Sequence, residues 1–110
     1  MRRFITIAVL LSVSPVVAHA DGPPRYDVEA HCKEVANFGG SYSASLDNAC
    51  LEQEQNAYDG LKANWAEVPI KAREHCDEIA RFGGHGSYNL LQACIQQEVK
   101  ARGTRPKFRY

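Results

Sequence analysis

The sequence predicts an all-α protein in which two tandem disulfide-closed helical hairpins form a four-helix domain. Three observations predict it. The run His31-Cys32-Lys33-Glu34-Val35-Ala36-Asn37-Phe38-Gly39-Gly40 recurs 44 residues later as His75-Cys76-Asp77-Glu78-Ile79-Ala80-Arg81-Phe82-Gly83-Gly84. The register then holds without a gap to Glu54 and Glu98, and 13 of the 24 aligned positions are identical, which marks a duplicated module. Apolar residues recur at helical spacing, and no stretch alternates with the period of two that a strand needs. Finally, Cys32 and Cys50 flank position 41 symmetrically, as Cys76 and Cys94 flank His85.

Residues 1–20 have the pattern of a secretory signal peptide. Arg2 and Arg3 supply the positive start, Phe4 to Val13 the apolar core, and Ala18-His19-Ala20 the small residues of a cleavage site. Cleavage after Ala20 starts the mature chain at Asp21 and directs it to the periplasm or beyond. The apolar core is too short for a permanent span, so the mature protein is expected to have no transmembrane segment. Residues 21–99 then form the duplicated domain, with repeat 1 at about 28–66 and repeat 2 at about 69–99, and residues 100–110 form a basic tail.

Within each copy the order is helix, turn, helix. Val28, His31/Cys32, Val35 and Phe38, and likewise Ala72, Cys76, Ile79 and Ala80, recur at helical spacing. The paired glycines are expected to stop the first helix, since Gly accepts the left-handed conformation of a C-terminal cap. Ser45 and Asn89 are the expected N-caps of the second helices, Asn89 with Gln92 as a capping box. Leu46, Cys50, Ala57, Leu61 and Trp65 continue the apolar stripe of the first copy, Gly60 weakens that helix, and Pro69 marks the boundary between copies.

Residues equidistant from the turn of an antiparallel hairpin lie side by side, so geometry favours Cys32–Cys50 and Cys76–Cys94 among the three possible connectivities. Each bond would stabilise the domain by about 3 kcal/mol in the chain-entropy model. Charge is divided unevenly. From Asp21 to Val99 there are six Lys/Arg and thirteen Asp/Glu, whereas Lys100 to Tyr110 holds five basic residues and no acid. An acidic body excludes nucleic acid as the natural partner. The tail residues Arg102, Arg105, Lys107 and Arg109 are candidates for contact with an anionic surface or with the body itself, or they stay solvated.

Chemistry-bearing residues are few. His31 and His75 precede the first cysteine of each copy, and with the cysteines they are candidates for zinc or copper; the absence of Cys-x-x-Cys and the symmetric spacing favour disulfides instead. Glu54 and Glu98 lie one turn beyond the second cysteine. In a hairpin they reach the start of the partner helix, where a carboxylate can accept from free N–H groups, and the pairs His31–Glu54 and His75–Glu98 become helix-capping candidates. Phe38 and Phe82 are expected in the core, and Tyr42 and Tyr88 at partly exposed turns. The glycine-rich Gly83-Gly84-His85-Gly86 lacks the Lys-Ser/Thr of a phosphate loop. No Ser/His/Asp order suggests hydrolysis, so no catalytic residues, no enzyme activity and no cofactor are expected.

The motif His-Cys-x-Glu-Val/Ile-Ala-x-Phe-Gly-Gly, followed by Ala-Cys, resembles small exported proteins of Gram-negative bacteria that carry repeated, widely spaced cysteine pairs. This resemblance implies a compartment and no activity. Cys50-x-x-x-Glu54-x-x-Ala57-x-Asp59-x-Leu61-x-x-x-Trp65 is similar to the second helix of the LprI-type lysozyme-inhibitor domain, which implies a helical, disulfide-closed periplasmic module. The expected function is therefore binding without catalysis, the partner being another envelope protein such as a cell-wall-degrading enzyme. Metal binding through the His-Cys pairs, or a structural envelope role through the tail, are the alternatives.

Overall fold

The computed structural model describes residues 22–110; the signal-peptide assignment of residues 1–20 lies outside them. Four α-helices follow in order: α1 (Val28–Ala36), α2 (Ala44–Asn64), α3 (Ile70–Ala80) and α4 (Tyr88–Ala101), with a single 3-10 turn at Trp65–Glu67 after α2. No strand occurs among the described residues, and none of their helices is long and apolar enough to cross a membrane.

The caps explain where these helices begin. Asp27 accepts from the Ala30 N–H at the start of α1. Ser43 and Ser87, equivalent in the two copies, accept from the Leu46 and Leu90 N–H groups at the starts of α2 and α4. Ser45 and Asn89 therefore lie inside the helices. Ser43 and Ser87 win because their extended backbone already turns the hydroxyl toward the free N–H groups. The first helices end at Ala36 and Ala80, before the glycine pairs rather than at them. Gly39, Gly40, Gly83 and Gly84 have φ between 95° and 111° and reverse the chain after the helix has stopped.

α1 packs on α2, α3 on α4, and α2 on α4. Cys32–Cys50 staples the first hairpin and Cys76–Cys94 the second, each with Cα atoms 5.5 Å apart. Two disulfides place the folded chain in an oxidising compartment. The hydrophobic core is not shared equally. Its main cluster lies between the C-terminal half of α2 and the second hairpin, and includes Ala57, Leu61, Trp65, Ala72, Leu91 and Ile95. In α1 only Cys32 and Ala36 are buried, so the first hairpin depends on its staple far more than the second.

The segment before α1 straps the second hairpin. Tyr26 donates its hydroxyl to Asp77 at 2.7 Å, and its N–H donates to the Tyr88 hydroxyl at 3.0 Å. Tyr88 donates that hydroxyl in turn to the Pro24 carbonyl. Gly86, at φ 86°, lies under the Tyr26 ring, where a Cβ would come within 2.5 Å of ring carbons. No side chain fits there.

Across the hairpin interface α2 and α4 run in the same direction. Glu54 meets the start of α4, and Gly60 approaches Gln92 so closely that a Cβ would lie 2.8 Å from its amide nitrogen. Further along, Leu61 and Asn64 share a groove with Ile95 and Val99. Tyr88 is the repeat equivalent of Ala44, yet it lies beside Glu54, ten residues later in α2. The second copy is thus displaced by about 15 Å along the helix axis. The copies are stepped, like steps of a stair.

Candidate functional site

Glu54 occupies a position of the apolar stripe between Cys50 and Ala57 and is only 1% exposed. Its Oε1 accepts from the Ser87 hydroxyl at 2.6 Å, and its Oε2 accepts from the Tyr88 N–H at 2.5 Å. The carboxylate thereby caps α4 of the second copy, where the helix dipole favours a negative charge. This corrects the expectation that it serves the start of its own partner helix. Asp27 caps α1, and the step between copies brings the next hairpin, not the same one, to Glu54. Among the described residues no further hairpin meets Glu98. Its side chain is 44% exposed, and its contact among the described residues is with His75.

Both His–Glu pairs stand at 3.7 Å, His31 Nε2 from Glu54 Oε1 and His75 Nε2 from Glu98 Oε1. A third pair, His85 Nε2 with Glu34 Oε1 at 2.9 Å, bridges the hairpins. His31, Glu34, Glu54, His85 and Ser87 therefore lie along one seam. Ser87, His31 and Glu54 have the residue types of a hydrolytic triad but a different wiring. The Ser87 hydroxyl donates to the carboxylate rather than to the imidazole, and its oxygen accepts from Leu90 N–H. Ser87 is also buried. Both of its roles are those of a helix cap.

The metal alternative loses its ligands. All four cysteines are disulfide-bonded, so His31 and His75 have no thiolate beside them. Among the described residues no three His, Cys, Asp or Glu side chains converge on a point suited to a metal ion.

Six apolar side chains are misplaced for a folding role. Phe38 and Phe82, expected in the core, are 89% and 90% exposed. Each stands after its helix has ended, on the outside of the glycine reversal. Val35 and Leu46 in the first copy, and Ile79 and Leu90 in the second, are also exposed. These are the same three positions, each offset by 44 residues: Val35, Phe38, Leu46 and Ile79, Phe82, Leu90. Val35, Leu46 and Leu90 line one groove of about 390 Å³, and Leu90 and Phe82 line a neighbouring one of about 200 Å³; His31 borders both. Residue reading missed this surface, although the repeat itself pointed to it.

The tyrosines behave oppositely. Tyr88, expected at a partly exposed turn, is buried against Tyr26 and Tyr58, with ring centroids 4.7 and 4.8 Å away. Burial pushes the Tyr88 and Tyr26 hydroxyls above the ordinary range, Tyr26 further because it also donates to Asp77. Tyr42 stays exposed, and its hydrogen bond to Asp47 raises it as well. The basic residues Arg102, Arg105, Lys107 and Arg109 are all exposed; Lys100 belongs to α4, which runs two residues into the segment expected to be tail. No protein-family model, curated protein or solved structure matches this chain.

Proposed function

We propose that this chain is a non-catalytic binding protein of the periplasm, and that it grips a partner in the cell envelope through the two hairpin tips. The observation that carries this reading is the duplicated apolar triad. A phenylalanine almost wholly in water contributes nothing to the fold, yet it stands at the same position of both copies, and two further equivalent positions are exposed aliphatic side chains each time. Apolar side chains grouped on a surface mark interaction sites, and aromatic anchors dominate binding energy. The two tips offer the partner two similar contacts on one rigid frame. The acidic body and the helix similar to lysozyme-inhibitor domains favour a basic, cell-wall-degrading enzyme as that partner, since opposite charge speeds encounter.

The test compares the protein with its Phe38→Ser/Phe82→Ser variant as inhibitors of lysozyme and of a cell-wall amidase. Neither phenylalanine is part of the core, so the variant should keep its helical content. Inhibition by the parent that falls at least tenfold in the variant supports the reading. If micromolar excess of the parent leaves both enzymes unaffected, the inhibitor function is wrong. If parent and variant inhibit equally, the tips are not the contact.

A further inference from the structure

The contact between the hairpins has a donor side and a receiving side, and the repeat carries both of them a second time. The donor side is the end of α2 and the 3-10 turn, with Leu61 and Trp65 buried. The receiving side is the second hairpin. There Leu91 shares the core cluster with Leu61, and Arg73 stacks over the Trp65 ring at 5.1 Å while donating to the Trp65 and Val68 carbonyls. Moving the receiving side back by 44 residues turns Leu91 and Arg73 into Asp47 and Glu29 of the first hairpin. Moving the donor side forward turns Leu61 and Trp65 into Arg105 and Arg109 of the tail.

Both pairs change together. An apolar pair, Leu61 with Leu91, becomes Arg105 with Asp47. A cation over an aromatic ring, Arg73 with Trp65, becomes Glu29 with Arg109. Each substitution on one side is matched by the opposite charge on the other. The first hairpin keeps the receiving face open as a groove of about 630 Å³, lined by Val28, Glu29, Leu51 and Gln55 with Tyr58 and Tyr88 at its wall. Asp47, on that hairpin, is 9% exposed, and its Oδ1 has no hydrogen-bond partner. Thr104 bonds back to the Lys100 and Ala101 carbonyls at the end of α4, and the side chains of residues 102–110 are all exposed.

We propose that residues 102–110 of one molecule dock on the Glu29–Asp47 face of a second copy, so that the step between hairpins continues from chain to chain. The occupant is a second molecule because of that step. A displacement of about 15 Å along the helix axis per copy does not return to its start, and a stepped head-to-tail contact leads to an open assembly rather than a closed one. Contact of the acidic body with the basic tail makes the association weaken with salt. This contact is separate from the tip surface proposed above and holds whether or not the tips bind an enzyme.

The experiment measures the mass of residues 21–110 by sedimentation from micromolar to millimolar concentration, in low and in high salt. The mass is expected to rise with concentration in low salt and to return toward the monomer in high salt. Deleting residues 102–110 should leave helical content unchanged and hold the chain at monomer mass throughout. Glu29→Arg alone, and Arg109→Glu alone, should each weaken association by about fivefold, the size of one exposed ion pair, and mixing the two variants should restore it. The proposal is overturned if the full and tail-deleted chains have the same mass at every concentration, or if the mixed variants associate no better than each alone. It is also overturned if the tail gives concentration-independent NMR contacts to its own Glu29, which would place it in the groove of its own molecule.

Discussion

Glu54 and Glu98 are the same residue at the same position of a repeat, yet their surroundings predict very unequal responses to one substitution. Glu54→Gln keeps the size of the side chain and removes its charge. The carboxylate serves two donors, the Ser87 hydroxyl and the Tyr88 N–H, and is 1% exposed. An amide offers one accepting oxygen, so one of these buried partners loses its acceptor, at about 1–3 kcal/mol. Loss of a negative charge at the start of α4 adds about 1 kcal/mol. Together these lower stability by about 2–4 kcal/mol, and about 4–8 °C of Tm per kcal/mol for a domain of this size gives a fall of roughly 8–30 °C. Glu98→Gln loses only a 3.7 Å contact to His75 with both groups about half exposed, so less than about 0.5 kcal/mol is at stake. Urea and thermal unfolding of the two variants, followed by circular dichroism, decide it. Equal losses in both, or no loss for Glu54→Gln, would refute the view that the cap joins the hairpins.

The disulfides should divide in a similar way. Both close loops with a separation of 18, so each constrains the unfolded chain by about 3 kcal/mol, yet α3 places Ala72, Cys76 and Ala80 in the core cluster whereas α1 sets Val28 against its edge. Cys32→Ser/Cys50→Ser is expected to release α1, with hydrogen-exchange protection lost at residues 28–36 and kept in α4. Cys76→Ala/Cys94→Ala should lower the stability of the whole domain. Retained protection in α1 after loss of its staple would contradict the asymmetry. At high pH, Tyr26 and Tyr88 should ionise later than ordinary tyrosines, because burial raises both hydroxyls. A raised folded-state value means that this stabilisation is complete below the unfolded value of about 10 and is lost as pH rises above it. Ultraviolet titration should therefore show a delayed ionisation from Tyr26 and Tyr88, with unfolding accompanying it. A single normal transition with the fold intact would show that the Tyr26–Tyr88 strap is open.

Hairpins, staples and repeat were legible in the sequence because they depend on local or covalent relations: cysteines equidistant from a turn, glycines at a reversal, apolar residues at helical spacing. The site was not, because it depends on how one copy stands against the other. Ala44 and Tyr88, Asp47 and Leu91, and Glu54 and Glu98 are equivalent by register and different by surroundings, since a step along the helix axis gives each position of the second copy a neighbour that the first copy lacks. Glu54 alone left a trace. It breaks the apolar stripe between Cys50 and Ala57, and a charge in a buried stripe requires donors from elsewhere.

Phe38 misled because helical spacing was carried past the end of the helix. α1 stops at Ala36 and α3 at Ala80, so Phe38 and Phe82 stand on the reversal and not on the packed face. Their exposure has a consequence for function. The residues identical in both copies fall into those that close the hairpin, such as Cys32, Ala36 and Cys50, and those that do nothing for it, Phe38 and Leu46 foremost. Folding accounts for the first group in each copy separately. The second group needs a reason that acts on both copies at once, and a partner meeting both tips is such a reason. The positions that differ in charge between copies, Asp47 and Glu29 against Leu91 and Arg73, belong to neither group. Glu29 is exposed and Asp47 nearly buried on the face of the first copy that corresponds to the one where the second copy meets its neighbour, and it is there that we propose the tail finds its complement.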